Sequence, residues 1–107
     1  MKIVFFGTPE FAASHLECLV HAQHEVLAVV TAPDKPSGRG LKMHTSAVKD
    51  MAVKFNLLLL QPVALRDNNF INTLKAIQAD IFVVVAFRML PEMVWSMPIW
   101  EIGRAHV

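Results

Sequence analysis

K-I-V-F-F-G-T-P-E-F, Lys2 to Phe11, changes its periodicity halfway along. Ile3 to Phe6 is a continuous apolar run rather than an alternating one, the pattern of a strand covered on both faces, as the strands of parallel sheets are. The run stops at Gly7, and the chain then turns helical. From Pro9 to Ala22 the residues Ala12, Leu16, Leu19 and Val20 recur at i, i+4, i+7 and i+8, one stripe along a helix. Thr8 reads as the N-cap and Pro9 as the first helical residue, where a missing N–H costs nothing. The stretch therefore predicts a buried strand feeding directly into a helix.

The same grammar repeats downstream. Val26 to Val30, Leu57 to Leu60 and Ile81 to Phe87 are further continuous apolar runs. Ser46 to Phe55, with Ala47, Val48, Met51, Ala52 and Phe55, predicts a second helix. Phe70 to Ile77 predicts a third, with Asn68 or Asn69 as its cap, and a short fourth helix should start after Pro91. The order β-α-β-loop-α-β-α-β-α implies an α/β fold: a Rossmann-like parallel sheet with flanking helices and right-handed crossovers, incomplete and limited to about four strands. In such sheets ligands bind at the carboxyl ends of the strands, near the point where strand order reverses. The loops at those ends are Gly7 to Glu10, Thr31 to Thr45, Gln61 to Asp67 and Phe87 to Glu92. No G-x-G-x-x-G follows the first strand, and Glu10 puts a carboxylate where a dinucleotide phosphate would sit.

Composition narrows the class. With 107 residues, 54% of them hydrophobic, the chain is one small domain or a piece of one. A mean hydropathy of +0.43 is high for so short a chain. The lone Cys18 excludes an intrachain disulfide, and among Leu16, Leu19 and Val20 it reads as core packing. The amino terminus lacks a signal-peptide core, and no apolar run approaches the roughly 20 residues of a membrane span. These features predict a soluble, unexported, cytoplasmic protein without a membrane partner. Of the histidines, His15 and His21 share no helical face, His24 follows the helix end, and no thiol or carboxylate completes a ligand set, so no metal is expected. His15 and His21 read as surface groups.

The charge is local. Asp34 to Lys49 holds four basic residues (Lys35, Arg39, Lys42, Lys49) against one acid and is +3, whereas the remainder is −2 and the whole chain +1. Pro33, Pro36, Gly38 and Gly40 argue against regular structure here, and the span from Thr31 to Ser46 is longer than most connections in a compact domain. Two readings follow from the residues: contact with a polyanion through Lys35, Arg39 and Lys42, or a solvated flexible loop.

At this point the chain resembles a family. G-T-P-E-F-A (Gly7 to Ala12), P-D-K-P-S-G-R-G (Pro33 to Gly40), S-A-V-K (Ser46 to Lys49), L-Q-P (Leu60 to Pro62) and A-D-I-F-V-V-V-A-F-R-M-L-P (Ala79 to Pro91) occur in the order and spacing of the amino-terminal domain of the methionyl-tRNA formyltransferases. The resemblance covers residues 1 to 98 and implies transfer of a formyl group from 10-formyltetrahydrofolate to the α-amine of methionyl-initiator tRNA. It implies tRNA contact by Arg39 and Lys42, supported by Lys35, and places the folate against Phe87, Arg88, Met89, Leu90 and Pro91. No DNA partner is implied. Leu41 stands where a lysine is common. The 87–91 segment departs from the commoner A-Y-G-x-I-L-P by one residue fewer and by Arg88 in place of Gly.

The family's catalytic asparagine, histidine and aspartate are expected downstream of Pro98, and none is present. Glu101 to Val107, E-I-G-R-A-H-V, is also what the codons GAG ATC GGA AGA GCA CAC GTC encode, a run containing a common sequencing adapter. Residues 99–107 are thus expected to be a non-family tail, and His106 no catalytic group. The fourth strand should then lack its next neighbour and expose an apolar edge, and the chain as written should be inactive. Two alternatives stay open: a related folate-dependent enzyme that formylates a sugar amine or hydrolyses the formyl donor, and a non-catalytic short protein that binds RNA or a partner through the basic loop.

Overall fold

β1 (Lys2–Gly7) is the centre of a parallel sheet. The computed structural model describes residues 2–37, 42–85, 87, 90–97 and 100–102. On one side of β1 lie β2 (Glu25–Val30) and then β5 (Leu59–Leu60); on the other lie β6 (Ile81–Val85) and then β7 (Trp100–Ile102). All four pairings are parallel. A separate antiparallel ribbon joins β3 (Lys35–Ser37) to β4 (Lys42–His44). The helices are α1 (Glu10–His21), α2 (Ala47–Lys54), α3 (Asn68–Ile77) and α4 (Glu92–Trp95).

Both faces of the sheet are covered, as the continuous apolar runs require. Val4, Phe6, Val30, Phe82 and Val84 pack with Phe70, Ile71 and Leu74 of α3 and with Phe87, Leu90 and Val94. Phe5 and Val29 pack on the opposite face with Ala12, Ala13 and Leu16 of α1 and with Val48 and Ala52 of α2. Phe5, Phe6 and Phe82 are among the largest fully buried side chains, each contributing about 1.5–3 kcal/mol through burial. The chain builds β1, β2 and β5 outward in one direction and then crosses back to place β6 on the free edge of β1. Strand order therefore reverses between β1 and β6, which sets a crevice at their carboxyl ends.

Several local expectations shift. The cap of α1 is Pro9, in extended conformation, and Glu10 is the first helical residue; Thr8 is used elsewhere. Cys18 is exposed, because the buried stripe runs along Ala12, Ala13 and Leu16 and leaves position 18 on the outer side. The α3 cap is Asp67, whose carboxylate accepts from the Phe70 N–H at 3.1 Å. Leu57 closes the end of α2 by donating to Ala52 O at 2.8 Å, so the strand run shortens to Leu59–Leu60. The edge of β6 is not bare: Ile81, Phe82 and Val83 pair with Trp100, Glu101 and Ile102. His15 and His21 lie on the surface as expected. Among the described residues no helix is long and apolar enough to cross a membrane, and no three His, Cys, Asp or Glu residues gather as a metal would need.

Candidate functional site

Three of the four loops at the carboxyl end of the sheet meet through hydrogen bonds. β2 ends at Val30, and the next residue, Thr31, is the buried polar residue of the core. Its hydroxyl lies 3.4 Å from Thr8 Oγ1, to which it donates, and 3.0 Å from Ser46 Oγ. With the Thr31 proton directed to Thr8, Ser46 is the donor to Thr31. Thr8 Oγ1 also accepts from Ala32 N at 3.2 Å, which is why it is not available to cap α1. Ser46 in turn caps α2 by accepting from Lys49 N at 3.0 Å. A rail of hydroxyls thus ties the end of β1, the end of β2 and the start of α2.

A second cluster lies beside it. Lys49 Nζ donates to Asp34 Oδ2. Gln61 Nε2 donates to Asp34 Oδ1 at 2.9 Å and to Ala32 O at 3.1 Å. The side chains of Lys49 and Asp34 are each only about one-fifth exposed. The hydrogen bond from Lys49, with a smaller contribution from Gln61, holds the Asp34 carboxyl below its ordinary value of 3.8. Thr45 completes the arrangement by donating to Asp50 Oδ1 at 2.7 Å. Asp34 immediately precedes β3, whereas Lys49 lies in α2, beyond β4. Their pairing closes the root of the β3–β4 ribbon.

This geometry relocates the charge. Asp34 and Lys49 neutralise one another, so the +3 of the segment is carried by Lys35, Arg39 and Lys42, of which Lys35 and Lys42 belong to the ribbon strands. The expected absence of regular structure is corrected: Lys35 lies opposite His44, Pro36 opposite Met43 and Ser37 opposite Lys42. Arg39 lies outside the described residues. Beneath the ribbon root opens a cleft of about 490 Å³ lined by Thr8, Pro9, Glu10, Pro33, Ser46 and Asp50, among others. Two of those residues are acids, which makes the cleft itself a poor seat for phosphate.

At the reversal point, Phe87 and Leu90 turn their side chains into the core, 5% and 8% exposed. Phe87 meets the edge of Phe6, ring centroids 5.7 Å apart. Pro91 is half-buried and caps α4. Arg88 and Met89 lie outside the described residues. The Phe87 and Leu90 side chains are therefore taken up by the core rather than offered to a ligand in the crevice. The crevice and the ribbon root stand at the same end of the sheet, the crevice at β1 and β6 and the root following β2, the strand beside β1.

In the sequence Lys49 reads as one basic residue of the charged segment, on the predicted second helix, and Thr8 as a cap, while no role is read for Asp34, Thr31 or Gln61. Thr8, Asp34, Ser46, Lys49 and Gln61 all belong to the motif blocks G-T-P-E-F-A, P-D-K-P-S-G-R-G, S-A-V-K and L-Q-P; their shared polarity beside apolar runs was the available signal.

A family model described as formyl transferase matches residues 1–102. The chain is 51% identical over 98 residues to a methionyl-tRNA formyltransferase of Flavobacterium johnsoniae, covering 92% of this chain and 31% of that protein. It is 52% identical over 98 residues to that of Bacteroides fragilis, 92% and 30% of the two chains. With that of Alkaliphilus oremlandii it shares 46% over 99 residues, 92% and 32%. The chain spans about a third of the length of these relatives. With a parallel sheet that reverses at β1 and β6, the family's motif residues interlocked at one end of it, and a match along nearly its whole length, the chain belongs to the formyl transferase family.

Proposed function

We propose that this chain is the amino-terminal part of an enzyme that transfers the formyl group of 10-formyltetrahydrofolate to the α-amine of methionyl-initiator tRNA in the cytoplasm. The observation that carries the reading is the ribbon: its strands hold Lys35 and Lys42, Arg39 lies between them in sequence, and its root follows β2, the strand beside β1. A polyanion held there by Lys35, Arg39 and Lys42 has its end within reach of the crevice. In this reading the Phe87–Pro91 segment, Arg88 and Met89 included, supplies the folate contact. In the reaction the amine nitrogen bonds to the formyl carbon as the bond from that carbon to N10 breaks, and the proton lost by the amine ends on N10. That requires a proton shuttle and donors for the developing oxyanion, and we place both downstream of Pro98.

Two assays of the purified 107-residue chain test this. Initiator tRNA should bind with an affinity that falls steeply with salt, and Arg39→Ala should reduce the slope of log K against log salt by about one. Incubation with 10-formyltetrahydrofolate and methionyl-tRNA should give no formyl-methionine. A flat salt response would remove the RNA reading, tighter binding of nucleotide sugars would favour a sugar-amine formyltransferase, and detectable turnover would overturn the placement of the catalytic groups. In the same reading residues 103–107, beyond the family match, are not the family's own. Resequencing the source DNA across their codons checks it: a frame running past Pro98 into an N-x-H strand supports it, and a genuine stop after Val107 refutes it.

A further inference from the structure

We propose that Asp34, Lys49 and Gln61 form a clasp that positions the basic ribbon for RNA without touching RNA themselves; the proposal rests on the tRNA reading above. The three residues come from three separate chain segments and converge only at the ribbon root. Asp34 uses both carboxylate oxygens, one on Lys49 and one on Gln61. Gln61 also holds Ala32 O, so the incoming strand of the ribbon is fixed at its main chain as well. The outgoing strand is fixed by Thr45 on Asp50 and by Ser46 on Thr31.

The electrostatics fit a positioning role. Lys49 lies in α2, and its ammonium is committed to Asp34 rather than offered to a phosphate. A ribbon carrying three like charges on a short closed loop repels itself and, if unanchored, would sample many exits from the sheet. Fixing both ends removes that freedom before the partner arrives, which raises affinity without adding a contact. An anchor and a contact are therefore distinguishable. Losing a phosphate contact lowers the number of counterions released, whereas losing an anchor leaves that number unchanged.

The test uses the 107-residue chain, initiator tRNA and trypsin. Cleavage after Arg39 reports opening of the ribbon, and cleavage after Lys75, inside α3, reports unfolding of the whole sheet. Asp34→Asn and Lys49→Met should each speed cleavage at Arg39 about fivefold relative to that at Lys75, and weaken tRNA binding by a similar factor with the salt slope unchanged. The charge-reversed pair Asp34→Lys with Lys49→Asp should recover much of both. Unchanged relative cleavage at Arg39 in both single variants would overturn the clasp whether or not RNA binds. A reduced salt slope in Lys49→Met would overturn it by making Lys49 a phosphate contact. Faster cleavage with no tRNA binding by any form would keep the anchor and sink the RNA reading on which its purpose depends.

Discussion

Asp34 concentrates the chemistry of the ribbon root in one carboxyl group. Lys49 first and Gln61 second hold its pKa below 3.8 in the folded chain; the unfolded chain has neither partner. Between the folded value and the ordinary one, the unfolded state binds more protons, so stability rises with pH through that window. The contribution is fully present above about pH 5 and is lost as the pH falls below about 4 toward the folded value. Urea unfolding of the wild type and Asp34→Asn at neutral and acid pH checks this: the difference between them should be largest near neutrality and shrink on acidification. A difference independent of pH would mean that the charge of Asp34 contributes nothing. Counting charges along the sequence could not reveal the pair, because Asp34 and Lys49 are 15 residues apart and meet only when the ribbon closes. Position 18 failed for a related reason: an apolar neighbourhood in sequence is not the same as a buried face on a helix.

Between elements, a close approach occurs at Gly7, where β1 hands the chain to α1. A Cβ placed there would lie 2.9 Å from Ala12 Cβ, from the Phe5 ring and from the Val85 carbonyl oxygen of β6. Two of those atoms belong to a helix stub and a neighbouring strand, which cannot move aside separately. Gly7→Ala should therefore destabilise the chain by about 1–3 kcal/mol, as overpacking does, and a lowered urea midpoint at unchanged slope would register it. Other joints were illegible. Gln23, Asn56 and Gln78 follow α1, α2 and α3 with φ of 65°, 57° and 55°, a left-handed exit that glycine usually announces and that no glycine announces here. Asp67, Asn68 and Asn69 are all capping residue types, so a cap read as Asn68 or Asn69 falls instead on Asp67. The β3–β4 ribbon was hidden by its proline, yet each strand of a two-stranded ribbon is an edge, where a missing N–H is tolerated.

At the scale of the whole chain, the layered architecture was legible because the strands announce themselves. Runs buried on both faces cannot alternate, so Ile3 to Phe6, Val26 to Val30 and Ile81 to Phe87 could only be strands of a covered sheet. The position of the candidate site followed from strand order. What holds that site together did not, since it depends on side chains meeting across loops, and β7 was missed because Trp100 to Ile102 is too short to carry a pattern. Strand order has a further consequence, one of timing. The most central strand is the first to be made, and one of its two neighbours is β6: Lys2 N meets Asp80 across 78 residues. At about 5–20 residues per second, a ribosome takes about 4–16 s to supply that partner. Until then the nascent chain holds its central strand with one flank open.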